Sequence, residues 1–130
     1  MSVSIASYEP RHLDGFVKLC AAQGWPSWTH ERTARCFASP CVIAVVAEDE
    51  GNVVGAAVLL TDGELISYLG MLAVAEASRR RGVGRALVQK LFELSGRDRM
   101  DLLAEDAAAP FYESLPHKTK PGYRLYRTPR

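Results

Sequence analysis

The chain has 130 residues, of which 48% are apolar and 24% charged, with a formal net charge of +1. These values exclude a disordered or collagen-like chain and predict a single domain over residues 1–130 with a sizeable apolar core. The three cysteines lack metal-ligand spacing, and the N-terminus lacks a signal-peptide pattern. We therefore expect a cytoplasmic protein without a metal. No apolar run approaches the roughly 20 residues that cross a bilayer, so we also expect no membrane contact.

The N-terminal part is predicted to contain one strand and two helices. Residues 3–8 alternate in the manner of a short strand, and Pro10 follows at a position suited to a helix start. Apolar side chains then recur at helical spacing up to Gly24, at Leu13, Phe16, Val17 and Cys20. A second helix is predicted over residues 29–38, with the Thr29 hydroxyl as its cap.

The middle of the chain changes to a β pattern. Residues 42–48, 53–60 and 65–74 are apolar runs, separated by turns at 49–51 and at Asp62-Gly63. Glycine-containing turns between apolar runs are typical of antiparallel strands joined in chain order. The sequence therefore predicts a three-stranded meander here.

The C-terminal part combines helices with two further predicted strands. An amphipathic helix runs from Val83 to its stop at Gly96, and residues 100–103 read as a buried strand reached by a parallel crossover. A short helix over 107–115, capped by Asp106, and an edge strand over 122–127 complete the chain. The predicted fold is α/β of the α+β type, with a central mixed and mostly antiparallel sheet and helices on both faces.

One stretch stands out as a candidate for binding a phosphorylated ligand. It runs from Leu72, Ala73 and Val74 to a cluster of arginines and glycines, Arg79, Arg80, Arg81, Gly82, Val83, Gly84 and Arg85. Glycines let backbone approach a ligand closely, and a helix N-terminus directs unpaired N–H groups and a positive dipole toward it. Guanidinium groups add donors that stay charged. The pattern indicates a pyrophosphate cradle.

Other interpretations of the same stretch remain open from the residues alone. The glycine spacing matches neither a dinucleotide fingerprint nor a Walker loop. A solvated basic turn tightened by glycines would give the same letters. Nucleic acid is a weaker alternative, because the rest of the chain is not basic and the arginines stand beside glycines, not aromatic residues. We expect no nucleic-acid partner.

Two motifs resemble those of the GNAT superfamily of N-acetyltransferases. Arg-x-x-Gly-x-Gly at 79–84, after a strand ending Leu-Ala-Val, is similar to that family's acetyl-CoA-binding motif. Phe111-Tyr112-Glu113-Ser114-Leu115 looks like its "Phe-Tyr-Glu-x-Leu" helix. The motifs stand in the family's order, and the resemblance extends from about residue 3 to 126. It implies a GNAT-like fold and acetyl transfer from acetyl-CoA to an amine by direct attack.

The resemblance also assigns roles to residues. It implies a splayed pair of parallel strands, with the backbone of Leu72 and Val74 pairing with the pantetheine arm, and with residues 79–85 around the pyrophosphate. It implies that Tyr112 is the general acid toward the departing thiolate, a donor that the chemistry requires independently. Without the family, Tyr112 would be read as a helix aromatic packed beside Phe111.

The acceptor side is less defined by the sequence. The family's first two helices usually form it, which here offers Trp25 and Trp28 as an aromatic wall, with Tyr68 as a further substrate-binding candidate. Core or lid packing is the alternative role, and it is the favoured one for at least one of the two tryptophans. No general base stands out; His30, Tyr68, Glu105 and His117 are contributors to consider, and Glu64 stands too early in its strand.

Three features depart from the family pattern. Glu105 or Asp106 stands where many members have Asn, Pro116-His117 replaces the usual Gly-Phe, and the last strands are abbreviated. The alternatives that remain are a non-catalytic acyl-CoA sensor and a basic-loop binding module. The acceptor, whether a small molecule or a peptide amine, the use of acyl groups other than acetyl, and the choice between monomer and homodimer stay open.

Overall fold

A computed structural model describes residues 2–130 as four strands and four helices. The strands are β1 (Val3–Ser7), β2 (Val42–Asp49), β3 (Asn52–Thr61) and β4 (Ser67–Val74), and the helices are α1 (Leu13–Ala22), α2 (His30–Phe37), α3 (Val83–Ser95) and α4 (Ala109–Glu113). The strands form one sheet in the order β1-β2-β3-β4, in which every pair is antiparallel. Short 3-10 turns precede α1, α3 and α4, at Pro10–His12, Glu76–Ser78 and Asp106–Ala108.

The sheet separates two apolar cores, because successive side chains of a strand point to opposite faces. On one face α1 packs Phe16, Leu19 and Cys20 against β2, β3 and β4. On the other face α3 packs Val83, Leu87 and Leu91 against the same strands. Leu87 and Leu91 are fully buried, as is Phe16. Helices on both faces confirm the predicted fold class.

The cap of α2 and the turns between the strands lie at the residues that predicted them. The Thr29 hydroxyl accepts a hydrogen bond from the Arg32 N–H at 3.2 Å and caps α2. Glu50 and Gly51 both have positive φ, 52° and 84°, as a two-residue hairpin loop between β2 and β3 requires. The Asp62 carboxylate accepts N–H groups of residues 64–66, each at 2.9 Å. These bonds, that of Ile66 foremost, lower the pKa of Asp62 to about 2.

A polar cluster that the sequence did not reveal fastens the start of α1 to β2. His12 is buried and accepts the Glu9 N–H on Nδ1 at 2.8 Å, so its Nε2–H donates to Glu48 at 3.0 Å. Arg11 donates two hydrogen bonds to the same carboxylate, each at 3.0 Å. These bonds, that of Arg11 first, lower the pKa of Glu48. The cluster satisfies a ring that burial would otherwise leave unpaired.

The predicted strand at 100–103 is reduced to a single parallel bridge between Tyr68 and Asp101. The Leu69 N–H donates to the Asp101 carbonyl at 2.9 Å, and the Asp101 N–H donates to the Ser67 carbonyl at 3.0 Å. No further pairing follows among the described residues. The physical reason is an extra residue in β4 at Gly70, because a bulge turns a strand edge away from its neighbour.

Two predictions for the C-terminal segment are wrong. Residues 122–127 form no strand and are exposed. A strand there would need a neighbouring strand to pair with, and the segment around Asp101 forms only one bridge and so provides none. Asp106 does not cap α4; it begins the 3-10 turn, and its side chain makes no cap hydrogen bond. The helix predicted over 107–115 is correspondingly shorter, because the 3-10 turn takes up its first residues.

Candidate active site

The register of β4 changes at Gly70. Leu69 pairs with Leu59 and Met71 pairs with Val58, so Gly70 has no partner on β3. Leu69 therefore faces the α3 core, and Met71, only two residues later, faces the α1 core. This bulge divides β4 into a first half bonded to Asp101 and a second half, up to Val74, whose outer edge is open.

The open edge presents the backbone of Leu72 and Val74. The Ala75 N–H donates to the Val54 carbonyl at 2.7 Å, and in an antiparallel ladder the residues that bond to the neighbour alternate. Ala73 and Met71 therefore bond to β3, while the N–H and C=O groups of Leu72 and Val74 point away from it. The Val74 carbonyl accepts the Arg79 Nε–H at 2.9 Å, which agrees with that direction. An extended ligand could add to this edge as a strand would.

The N-terminus of α3 lies in sequence just beyond this edge. Gly82 caps the helix with φ of 77°, and Arg80 has φ of 64°, a left-handed conformation that is rare outside glycine. The first helical bond joins the Ala86 N–H to the Gly82 carbonyl at 3.0 Å. The N–H groups of residues 83–85 precede that ladder and are available for an anion.

The four arginines of this segment are exposed but differ in their contacts. The Arg79 guanidinium donates to Val74 and, at 3.2 Å, to the Gln23 side chain, so it braces β4 against the end of α1. Arg85 donates to the Ser114 carbonyl at 3.3 Å and joins α3 to α4. In this conformation Arg79 and Arg85 therefore also hold the surrounding elements together.

Gly84 brings α3 close to α4. A Cβ built at Gly84 would lie 3.0 and 3.1 Å from two ring carbons of Phe111, and 3.8 Å from Val74. The missing side chain therefore makes room for a ring on the helix that also carries Tyr112. The sequence indicated glycine here for a ligand, and the structure adds this packing reason.

Tyr112 lies on α4 and is half-buried against β4. It packs on the α3-side core, and its ring meets that of Phe111 edge-on at 5.0 Å. Burial raises the pKa of the Tyr112 phenol above 10.0, so the hydroxyl is protonated at neutral pH. A protonated phenol can donate a hydrogen bond or a proton.

Tyr112 also lines a small cleft of about 230 Å³. The loop between α1 and α2 contributes Trp25 and Trp28, and the open half of β4 contributes Leu72. The segment before α4 contributes Glu105, and the C-terminal segment contributes Arg124, which the sequence did not single out. The structure thus brings together in one cleft side chains predicted for the acceptor, the cofactor and the acid.

The remaining candidates do not line this cleft. Tyr68 lines a larger cleft of about 1490 Å³ between α3, α4 and the C-terminal segment, which Tyr112 also lines and the tryptophans do not. His30 contacts Asp14 at 2.9 Å, and His117 contacts the Leu115 carbonyl at 2.8 Å. Of the contributors considered as base, Glu105 is therefore the one that lies in the small cleft. Across residues 2–130 no cluster of three His, Cys, Asp or Glu could hold a metal.

Residues 40–115 match the sequence model of the family described as the acetyltransferase (GNAT) domain. The chain belongs to the GNAT family. Membership confirms the resemblance drawn from the two motifs and makes the chain an acetyltransferase. No curated protein matches it. Within residues 2–130, no helix has both the length and the apolar character that a membrane span requires.

Solved structures of GNAT acetyltransferases share the fold. AAC(6')-Iy, solved with the bisubstrate analogue CoA-S-monomethyl-acetylneamine, has a TM-score of 0.80 at 18% identity, and the match covers all of both chains. A ribosomal-protein-alanine N-acetyltransferase from Brucella melitensis has a TM-score of 0.79 at 18% identity, covering 98% of this chain and 100% of that one. A candidate acetyltransferase from Agrobacterium tumefaciens has a TM-score of 0.76 at 26% identity, covering 94% and 99%.

Proposed function

We propose that this GNAT acetyltransferase transfers the acetyl group of acetyl-CoA to an amine by direct attack. The observation that carries the proposal is the open half of β4, whose outward backbone groups at Leu72 and Val74 lead toward the N-terminus of α3. An extended arm ending in a pyrophosphate fits that combination, because a strand edge binds the arm and helix N–H groups bind the phosphates. The GNAT neighbour solved with a CoA analogue supports the same choice of ligand.

Each part of the segment from Leu72 to Arg85 has a task in this proposal. The backbone of Leu72 and Val74 binds the pantetheine arm, with Ala73 anchoring the strand in the core below. The N–H groups of residues 83–85 bind the pyrophosphate, and Arg80, Arg81 and Arg85 add positive charge around it. Because Arg79 already donates to the Val74 carbonyl, it holds the end of the strand or yields that carbonyl to the ligand.

Tyr112 is the proposed acid. Acetyl-CoA supplies the acetyl group as a thioester. The amine nitrogen forms a bond to the carbonyl carbon, the carbon–sulfur bond breaks, and the sulfur gains a proton as the amine loses one. Tyr112 keeps its proton at neutral pH and lies beside β4, so it is suited to give that proton to sulfur. Glu105, across the same cleft, is suited to attract the cationic amine or to receive its proton.

The test is release of coenzyme A, followed as free thiol, with and without amines. We expect thiol release that requires both acetyl-CoA and an amine. Acetyl-CoA binding without amine-dependent release from any of a broad panel would instead favour a sensor. No binding of coenzyme A at millimolar concentration would overturn the cofactor assignment itself. We further propose that the enzyme is cytoplasmic, as its cysteine pattern led us to expect.

A further inference from the structure

The small cleft holds two charged side chains of opposite sign. Glu105 lies on the segment before α4 and Arg124 lies on the C-terminal segment, and both line the same space. Among residues 2–130 no ion pair within 4.0 Å joins them to each other or to another side chain. Both side chains are exposed and make no ion pair within that part of the chain, so they are free to contact a ligand that carries both signs.

The charge around Arg124 favours an anionic group on that ligand. Residues 116–130 contain five Lys or Arg and no Asp or Glu, so no acidic side chain of that segment offsets the guanidinium. A guanidinium presents a planar set of donors that matches a carboxylate or a phosphate. An acceptor with several cationic groups would meet repulsion from this side.

The small cleft is open and shares Leu69, Leu103, Ala104 and Tyr112 with the larger cleft. Its 230 Å³ equals the liquid volume of about eight water molecules, at roughly 30 Å³ each. Sites for drug-sized ligands begin at about 300 Å³. The half-buried rings of Trp25 and Trp28 form its apolar side. Because the acetyl end of the cofactor would lie along Leu72 in the same cleft, the space left beside it suits one small molecule, or one residue at the end of a chain.

We propose that the acceptor is a small amine that also carries a carboxylate or phosphate, and that Arg124 selects it by binding that anionic group. This inference rests on the proposed function, since it names the acceptor class of the same cleft. Glu105 attracts the ammonium end, and the apolar part of the acceptor lies against the tryptophans. Arg124 is thus a specificity-determining residue outside both family motifs.

The first experiment compares matched amines in the thiol-release assay. The pairs are α-amino acids against their carboxamides, and 2-aminoethyl phosphate against ethanolamine, with an aminoglycoside as the polycationic arm. We expect kcat/KM to be at least tenfold higher for the anionic member than for the neutral member of one pair. The pair that shows this difference identifies the anionic group as a carboxylate or a phosphate. Equal or better use of the neutral amines or of the aminoglycoside would overturn the inference while leaving acetyl transfer intact.

The second experiment changes the arginine. Arg124→Gln should raise KM for the preferred anionic amine by roughly 10- to 100-fold, the loss expected for hydrogen bonds to a charged group, with kcat little changed and neutral amines unaffected. Arg127→Gln, which removes a charge from the same segment outside the cleft, is the matched control. An Arg124→Gln enzyme that keeps the wild-type preference would refute the role of Arg124.

A binding measurement separates this inference from the proposed function. The chain has two tryptophans and both line the cleft, so the preferred amine should change their fluorescence on binding, and Arg124→Gln should weaken that response. Binding without acetyl transfer would retain the ligand class and refute the enzyme mechanism. Acetyl transfer to neutral amines, with no fluorescence response to anionic ones, would refute the ligand class and retain the enzyme mechanism.

Discussion

Gly84→Ala tests whether the start of α3 and the ring of Phe111 are packed as tightly as the structure describes. The new Cβ would lie 3.0 Å from a ring carbon, where carbon atoms prefer about 3.5–4.0 Å, so the ring must retreat by roughly 0.5 Å. Overpacking costs about 1–3 kcal/mol, and we expect the low end because Phe111 is half-buried on a five-residue helix. Losing a glycine gains about 0.5–1 kcal/mol in a helix interior, and Gly84 lies in the first turn of α3, so we expect the low end of that range.

The net effect of Gly84→Ala should therefore be a destabilisation of about 1 kcal/mol or less, too small to interpret alone. In a Phe111→Leu background the clash disappears and the helix gain remains, so the same substitution should become stabilising. The coupling between the two sites should reach about 1–2 kcal/mol. Urea unfolding of the four proteins, followed by tryptophan fluorescence, measures it.

Gly82→Ala is the matched control in this cycle. Gly82 has φ of 77°, and a Cβ there meets nothing within 4 Å, so its cost is backbone strain of about 1–2 kcal/mol. That cost should be the same in both backgrounds. If Gly84→Ala also had the same effect in both, within about 0.5 kcal/mol, the reasoning from the Phe111 contact would be refuted.

Three further predictions concern the site and the fold. Tyr112→Phe should lower kcat by roughly 10²- to 10⁴-fold with little change in coenzyme A affinity, and unchanged turnover would make Tyr112 a packing residue. Coenzyme A should stabilise the fold by about 2.7 kcal/mol at 100 times its Kd in thermal unfolding, and Arg80→Ala should weaken this in a salt-dependent way. Glu48→Ala should cost about 1–3 kcal/mol in urea unfolding, because the buried His12 Nε2–H loses its acceptor. Since the pKa of Glu48 is lowered, its stabilising effect should be present above its ordinary value of 4.5 and lost as pH falls through the lowered one; a loss on the alkaline side instead would contradict the assignment.

The sequence predicted most of the elements that local signals define. Thr29 marked the start of α2 and Gly96 the end of α3, because a side-chain cap and a left-handed residue act on the nearest turn. Residues 100–103 carried the apolar pattern of a strand, but pairing depends on the shape of the neighbouring edge. The bulge at Gly70 belongs to β4, and nothing within 100–103 reports it.

The sequence singled out most of the side chains that line the small cleft, Trp25, Trp28, Leu72, Glu105 and Tyr112, but not Arg124. The cradle residues and Tyr112 belong to contiguous motifs, and such motifs can be recognised in a single sequence without an alignment. Arg124 is distant in sequence from the other cleft residues and sits in a segment expected to be a strand, so no local pattern joins it to Trp25. The Gly84 contact was hidden for the same reason, since Phe111 follows 27 residues later.

The extra residue at Gly70 makes β4 two half-strands with different constraints. Residues 67–69 are held on both edges, by β3 and by Asp101, whereas residues 71–74 have a ladder on one edge only. Local opening costs less where fewer backbone bonds break, so the second half is the softer one. A ligand that adds to its free edge would supply the missing ladder, and binding would then be felt as local stiffening of this half-strand, with the first half already rigid.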